Sequence, residues 1–114
     1  MTVLGVEKET LLDEFANALE GEEYIIANVE LKNTGEKKIP YNDMYFSMQN
    51  GNKAILNTSV DGAALKDNMK SGELAPGGVV TGRVVFESKQ GDNDLTLIYK
   101  PMNFDNIEIK VALQ

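Results

Sequence analysis

An alternating run of apolar and polar residues constrains the fold of this chain more than any other feature of its sequence. Between residues 25 and 32, apolar side chains occupy every second position, and Asn28, Glu30 and Lys32 fill positions between or after them. Side chains two residues apart point to the same face of an extended strand, so this period predicts a β-strand with one buried face. The alternating apolar residues are Ile25, Ala27, Val29 and Leu31.

A turn follows this strand directly. Asn33 can hydrogen-bond to nearby backbone through its side chain, and Gly35 tolerates a positive φ, so Asn33-Thr34-Gly35 favours a reversal of the chain. Pro40 has no amide hydrogen for a ladder bond, which places the next strand at a sheet edge or just after this residue. The stretch from residue 31 to residue 41 therefore predicts two strands joined by a corner.

Two further turns have a recognisable chemistry. Asn50-Gly51 lies between the strand-like residues 44–49 and 52–56. Asn-Gly is a strong hairpin signal, because both central residues of a type I′ turn need positive φ. Pro76-Gly77 fits the two central positions of a type II turn, where proline presets one φ and glycine accepts a positive φ.

Alternating apolar residues mark further strands, and Gly82 lies on one apolar face, where a missing side chain leaves room for a neighbour. With residues 2–6 as the first strand, the chain has about seven or eight short strands, which is typical of an all-β sandwich or barrel. Residues 57–72 have no clear period. The further apolar faces consist of Val80, Val84 and Phe86; of Leu95, Leu97 and Tyr99; and of Ile107, Ile109, Val111 and Leu113.

One segment has a helical pattern instead. Apolar residues recur at every fourth position from Leu11 to Leu19, and Thr10 with Asp13 matches a capping box in which Asp replaces the usual Glu. Gly21 can end a helix. We therefore predict one short N-terminal helix at about residues 11–19, covering one end of the sandwich.

Composition excludes several classes of function. The 114 residues suit a single domain, and no apolar run approaches the roughly 18 residues of a membrane span. The formal net charge of −7 would repel phosphate backbones, so we expect no nucleic-acid partner. The chain has no cysteine and no histidine, which removes thiol nucleophiles, zinc–thiolate sites and the commonest general base. We therefore expect no enzyme activity, no catalytic residue, no cofactor and no metal site.

Two weaker metal patterns have simpler interpretations. Asp92-Asn93-Asp94 could offer oxygen ligands to calcium, but it lacks the full loop spacing, and Asp and Asn are common in hairpin turns. Methionines could hold copper(I), but histidine usually joins them in small copper carriers, so Met48 is interpreted as a core residue that alternates with Phe46. The other methionines considered are Met44, Met69 and Met102.

The segment from residue 41 to residue 45 is the best candidate for a binding surface. Tyrosine offers flat contact area and asparagine offers adaptable hydrogen bonds, as in antibody paratopes. We predict Tyr41, Asn42, Asp43 and Tyr45 as binding residues. The alternative is that Tyr41 packs inward and the other residues form a turn.

Three pieces of the sequence, taken in order, resemble a known family. Over about residues 23–113 the chain resembles the immunoglobulin-like domains of bacterial cell-surface lipoproteins. These domains are similar to the mycobacterial immunoprotective extracellular protein and sometimes carry a label for telomeric-repeat binding. The resemblance implies an immunoglobulin-like antiparallel β-sandwich, a secreted or membrane-anchored location and no established catalysis. The pieces are residues 24–35 (YIIANVELKNTG), residues 74–77 (LAPG) with residues 82–87 (GRVVFE), and residues 95–99 (LTLIY).

The resemblance also shapes the functional expectation. Members usually begin with a signal segment that ends in a lipidated cysteine, and the extracellular or surface-anchored location rests on such a segment, which the printed chain does not contain. The helix at residues 11–19 is not a feature implied by the family. We expect a non-catalytic extracytoplasmic binding module of a surface lipoprotein. Its partner would be a protein or cell-envelope component, with membrane contact only through the lipid anchor. A carrier of an ion, sugar or lipid with a pocket at one end of the sandwich, and a structural spacer, remain alternatives.

Overall fold

Short antiparallel strands account for most of the regular structure. The computed structural model describes residues 1–14, 16–101 and 108–113. No helix in these residues is long and apolar enough to cross a membrane. The described strands are β1 (Thr2–Glu9), β2 (Leu11–Asp13), β3 (Ala16–Asn17), β4 (Glu22–Lys32), β5 (Ile39–Tyr41), β6 (Phe46–Gln49), β7 (Ile55–Asn57), β8 (Gly72–Leu74), β9 (Val79–Lys89), β10 (Leu95–Tyr99) and β11 (Ile109–Leu113), and the two 3-10 helices are η1 (Asp43–Tyr45) and η2 (Val60–Ala64).

Two sheets face each other. The first has the strand order β1-β4-β9 and the second has the order β11-β10-β6-β7, while β2-β3 and β5-β8 form separate two-stranded pairs. Every pair of named strands is antiparallel. This arrangement confirms the predicted all-β antiparallel sandwich. The described residues contain eleven strands instead of the predicted seven or eight, because the aperiodic and helix-like segments also contribute strands of two or three residues.

The main core lies between the two sheets and uses the predicted alternating faces. Strands β4 and β9 contribute every second residue to it, and strands β6 and β10 contribute the opposing side. Met48 is fully buried there, as predicted, and Ile107 of the predicted last strand lies outside the described residues. The core residues are Ile25, Ala27, Val29, Leu31, Phe46, Met48, Met69, Leu74, Val84, Phe86, Leu95, Leu97, Tyr99 and Leu113.

A second, smaller apolar cluster lies on the outer face of the first sheet. Tyr24, Ile26 and Val85 are buried there, although they alternate with residues of the main core. Leu12, Ala18 and Leu65 are partly buried and pack against them. The β2–β3 hairpin and the segment around η2 therefore cover a sheet face that simple alternation would leave to solvent.

The predicted helix at residues 11–19 is wrong. Strands β2 and β3 occupy this segment and pair with each other, and the Ala18 N–H donates to the Thr10 oxygen at 2.9 Å. Isolated helices this short are marginal in water, so the segment follows the packing that the sheet offers it. Gly21 has a φ of 81° in the turn before β4, not at the end of a helix. Phe15 lies outside the described residues.

The predicted turns at Asn50 and at Pro76 both occur, the first of them with different geometry. Gly77 has a φ of 84°, and the Gly78 N–H donates to the Ala75 oxygen at 2.8 Å, which confirms the type II turn. The hairpin at Asn50 is present, but its positive φ is at Lys53 (64°) instead of both central residues of a type I′ turn. The loop is longer because the Asn50 side-chain oxygen accepts hydrogen bonds from the backbone of Asn52 and Ala54.

Gly82 does make room for a neighbour, as predicted. A Cβ at this position would lie 3.0 Å from the Cα of Met69. The Met69 N–H donates to the Arg83 oxygen at 2.9 Å, and the Arg83 side chain contacts the carboxylate of Asp67 at 2.7 Å. The missing side chain thus lets residues 67–69 lie directly on strand β9.

Candidate functional site

The predicted binding segment joins strand β5 to strand β6 and contains η1. Tyr41 ends β5, Asn42 caps η1, and Asp43 and Tyr45 are the first and last residues of its single turn. All four predicted binding residues are partly buried, whereas Met44 between them is 78% exposed. The most exposed side chain of the segment is therefore the one that the prediction left out.

The Tyr41 ring packs inward across the β5–β8 pair. Tyr41 is the register partner of Gly72, and a Cβ on Gly72 would lie 2.5 Å from the Tyr41 hydroxyl oxygen. The ring thus occupies the space above the glycine and contacts the edge of the main core. This position agrees with the alternative that Tyr41 is a packing residue, and a binding role for the segment stays a prediction.

Tyr45 also contacts the core through another tyrosine. Its ring centroid lies 6.5 Å from that of Tyr99, and the Tyr99 hydroxyl donates to the Pro40 oxygen at 3.0 Å. Burial, and secondarily the neighbouring Tyr45, raise the pKa of Tyr99 to about 12. These contacts fix both ends of the residue 40–45 segment against the sandwich.

Helix η1 holds Met44 in place. The Asn42 side-chain oxygen accepts the Met44 N–H at 2.9 Å, and the Tyr45 N–H donates to the Asn42 backbone oxygen at 3.1 Å. Asparagine is favoured at this position because its side chain satisfies an amide that the short helix leaves unpaired. The Lys100 N–H adds a bond to the Tyr45 oxygen at 2.9 Å. Met44 is therefore exposed on a backbone with a defined conformation.

Helix η2 is anchored more strongly. The Ser59 hydroxyl accepts the Asp61 N–H at 3.2 Å, and the Ser59 N–H donates to the Val85 oxygen at 2.7 Å. The buried Tyr24 donates from its hydroxyl to the Asp61 carboxylate at 2.6 Å. These bonds connect η2 to two strands of the first sheet. The residue next to the Ser59 cap, Val60, is 90% exposed.

A cleft of about 460 Å³ separates the two 3-10 helices. Its volume lies within the range of roughly 300–1,000 Å³ that is common for ligand sites. Met44 lines it from η1 and Val60 lines it from η2, and Asp43 is the only charged residue among the described side chains of the lining. The other lining residues are Asn57, Thr58, Ser59, Ala63 and Asn68.

The cleft combines one predicted binding residue, Asp43, with the aperiodic segment at residues 57–72. Val60 could not be found by periodicity, because η2 is too short to have one. A usable signal was the pair Ser59 and Asp61, since serine followed by an acidic residue is common at the start of a helical turn.

The residues of the two metal patterns have structural contacts or separate environments. The Asp92 carboxylate accepts backbone N–H groups of Gly51 at 3.1 Å and Asp94 at 3.3 Å, so it stabilises two loops. In residues 1–14, 16–101 and 108–113, no group of three or more acidic side chains is arranged to hold a metal ion. Met69 is buried in the core, whereas the Met44 side chain is exposed at the surface. Met102 lies outside the described residues.

The family described as "Domain of unknown function (DUF4352)" matches residues 1–109. The chain belongs to this family. No curated protein is matched by the sequence.

Two solved structures have a similar fold. The yjhA protein of Bacillus subtilis aligns with a TM-score of 0.74 and 24% identity, covering 99% of this chain and 90% of that one. A protein of Bacillus subtilis strain 168 named "putative lipoprotein (ycdA)" aligns with a TM-score of 0.73 and 17% identity, covering 96% of this chain and 35% of that one. At these identities the likeness shows the fold alone. This chain spans about a third of ycdA.

Proposed function

We propose that this chain is a non-catalytic, extracytoplasmic binding module with an immunoglobulin-like sandwich, which holds an apolar segment of a partner protein between η1 and η2. The observation that carries the proposal is the exposure of two large apolar side chains on one cleft: Met44 is 78% exposed and Val60 is 90% exposed. Apolar side chains gathered at a concave surface favour a site of association.

Burial of these two side chains would stabilise a complex. Complete burial of a Val or Met side chain contributes about 1.5–3 kcal/mol relative to full exposure. The backbone around Met44 is held by the Asn42 cap, and the backbone around Val60 is held by Ser59 and Asp61. Because these segments are already ordered, association would lose little backbone entropy.

Charge favours a basic partner segment. Asp43 lines the cleft, and the whole chain has a formal net charge of −7. Opposite charge on the partner speeds association and disfavours acidic competitors. The occupant is therefore a peptide segment with an apolar side chain for the cleft and lysine or arginine beside it.

A location outside the cytoplasm is supported by two observations of different kinds. The similarly folded ycdA is named a putative lipoprotein, and the sequence pieces at residues 24–35, 74–77 and 95–99 resemble domains of surface lipoproteins. Detection of the full-length gene product in intact cells, before and after external protease, tests the location. Protection of the protein in intact cells, together with cleavage after lysis, would contradict it.

Selection from a random peptide library displayed on phage tests the binding site. We expect wild type to enrich peptides that combine apolar and basic residues. The Met44→Ser/Val60→Ser double variant should bind the enriched peptides at least about tenfold more weakly, since even half of the burial energy corresponds to that factor. Val79→Ser is the matched control, because Val79 is an exposed valine at the start of β9, outside the lining of the cleft.

The selection can contradict the proposal in two ways. Equal binding of the enriched peptides to the double variant and to the Val79→Ser control would place the binding surface elsewhere. A selection that enriches only acidic peptides, or no peptide at all, would remove the cleft as a site for a basic apolar segment.

A further inference from the structure

A second cleft lies at the other end of the β6–β7 hairpin. It has a volume of about 580 Å³ and opens between the two sheets, beside the loop from residue 50 to residue 54 and the loop from residue 89 to residue 92. Its walls are mostly polar, unlike those of the cleft at Met44. Its polar lining includes Glu22, Asn50, Asn52, Ser88, Lys89 and Gln90.

Ser88 is the most informative residue of this polar cleft. It follows Val84 and Phe86 on the inner face of β9, and it is only 5% exposed. No side-chain or backbone group in the described residues forms a hydrogen bond with its hydroxyl. Every fully enclosed polar side-chain atom in these residues has a partner, so the Ser88 oxygen is not fully enclosed. The hydroxyl therefore faces the cleft and is available to a ligand there.

The cleft offers both hydrogen-bond donors and acceptors. The side-chain amides of Asn50 and Asn52 and the ammonium of Lys89 can donate, and the amide oxygen of Gln90 and the carboxylate of Glu22 can accept. A polyamine only donates and would leave the protein donors unmatched. A phosphate or carboxylate ligand only accepts, and the acidic walls would repel it.

A polyhydroxylated ligand matches this set, because each hydroxyl both donates and accepts. Leu56 is partly buried in the wall and gives an apolar contact for the C–H face of a sugar ring. We infer that the polar cleft around Ser88 binds a neutral saccharide. This inference is independent of the proposed protein-binding cleft, since the two lie at opposite ends of the β6–β7 hairpin and share no lining residue.

The loops around the polar cleft are already held in place. The Gly51 N–H donates to the Asp92 carboxylate at 3.1 Å, and the Gly91 N–H donates to the Glu23 carboxylate at 3.2 Å. The Gln90 side-chain nitrogen donates to the backbone oxygen of Glu22 at 3.1 Å. These bonds connect the two loops to each other and to the start of β4, so the site is formed before a ligand arrives.

Titration of the ¹⁵N-labelled protein, followed by NMR, tests the inference. The probes are maltotriose, cellotriose and N,N′-diacetylchitobiose at millimolar concentration, with spermidine and inorganic phosphate as the cationic and anionic controls. We expect at least one saccharide to shift the amide signals of Gly51 and Gly91 and to leave that of Gly62, beside the other cleft, unchanged.

Two variants with matched controls locate the site. Ser88→Ala should weaken saccharide binding about fivefold to tenfold, the value for one lost hydrogen bond, while Ser47→Ala on β6, outside the lining, should bind as wild type. Asn52→Ala should act like Ser88→Ala, and Asn28→Ala on β4 is its control. Because Asn52 is exposed, its replacement by alanine should leave the stability of the fold unchanged.

Three results would overturn the inference. The first is the absence of any shift at Gly51 and Gly91 with all three saccharides. The second is an equal or larger shift of the same signals with spermidine or phosphate. The third is unchanged saccharide affinity in both Ser88→Ala and Asn52→Ala. None of these results would bear on the peptide selection at Met44 and Val60.

Discussion

The side-chain nitrogen of Asn33 donates a hydrogen bond of 2.9 Å to the backbone oxygen of Leu74, 41 residues further along the chain. The same nitrogen donates to the Lys37 oxygen at 2.7 Å, and the side-chain oxygen accepts the Gly35 N–H at 3.0 Å. Asn33 is 2% exposed. One buried amide therefore joins the turn after β4 to the end of β8, in addition to the local bond that the sequence predicts.

Asn33→Ala should be strongly destabilising. The change removes two donated bonds and leaves the backbone oxygens of Lys37 and Leu74 without this donor, one of them in a buried position. We expect a loss of about 2–3 kcal/mol in the free energy of unfolding, measured by urea denaturation. Asn28→Ala, at an exposed position on β4, is the control and should change stability by less than about 0.5 kcal/mol. Equal effects of the two substitutions would show that the amide network of Asn33 is not important.

Tyr24→Phe should loosen η2 selectively. The change keeps the buried ring and removes the hydroxyl that donates to Asp61 at 2.6 Å. We expect about 1–2 kcal/mol of destabilisation, together with faster hydrogen exchange at the amides of residues 60–64. Tyr45→Phe is a suitable control, because no described group bonds to the Tyr45 hydroxyl. Unchanged exchange in η2 would mean that the other anchors of this segment are sufficient.

Gly82→Ala should be costly, in contrast to a second glycine of the same sheet. The new Cβ would lie 3.0 Å from the Met69 Cα, which belongs to the backbone and cannot move without shifting residues 67–69. We expect a loss of about 1–3 kcal/mol in unfolding free energy. Gly5→Ala, on β1, has no atom within 4 Å of its Cβ position and should be neutral or slightly stabilising. Similar melting curves for both variants would contradict the close contact at Gly82.

Tyr99 should make stability depend on alkaline pH. Its pKa is raised in the folded protein from 10.0 to about 12, so the folded state retains a proton that the unfolded state loses in this range. The contribution of Tyr99 to the free energy of unfolding is fully present below pH 10. It falls by on the order of 2 kcal/mol as the pH rises toward 12. Urea denaturation across this range gives the unfolding free energy of wild type and of Tyr99→Phe. Subtracting one pH profile from the other removes the contribution of the lysines, which both proteins contain. Parallel pH profiles for the two proteins would contradict the raised pKa.

Strict alternation made several strands predictable. The alternating residues from Leu95 to Tyr99 coincide with β10, and the apolar face of Val80, Val84 and Phe86 lies within β9. In these strands one face contacts the main core, and the other face is more exposed except at Val85 and Ile98, so the period of two records most of the burial. The turn at Pro76 was predictable because proline and glycine are tied to particular backbone angles, and the turn at Asn33 because its side chain accepts the nearby Gly35 N–H.

The N-terminal hairpin was not predictable from the same rules. Spacing of four residues from Leu11 to Leu19 fits a helix, but it also arises by chance in nine residues. The deciding factor is the second apolar cluster, where Leu12 and Ala18 pack against Tyr24 and Ile26. The same cluster also contains Val85 of β9 and Leu65, so its formation depends on segments that are far apart in the sequence and has no local signal.

The candidate site was only partly predictable for a different reason. Asp43 was named from its segment, but apolar residues are by default expected in the core, so neither Met44 nor Val60 could be assigned to a surface. The polar cleft was missed because Ser88 continues an apolar strand face. A polar residue at the end of such a face marks the place where the core opens, and this is visible only when the loops are in position.

The double burial of strand β4 affects how its alignment with β1 and β9 is specified. From Tyr24 to Ala27 all four side chains are buried, alternately in the main core and in the outer cluster. A shift of the strand by one residue would therefore exchange one set of buried apolar side chains for the other in this part of the strand, without exposing either set to water. Discrimination between the two alignments is left to the polar half of the strand, beginning at Asn28, and to the Tyr24 hydroxyl, which finds Asp61 in only one of them.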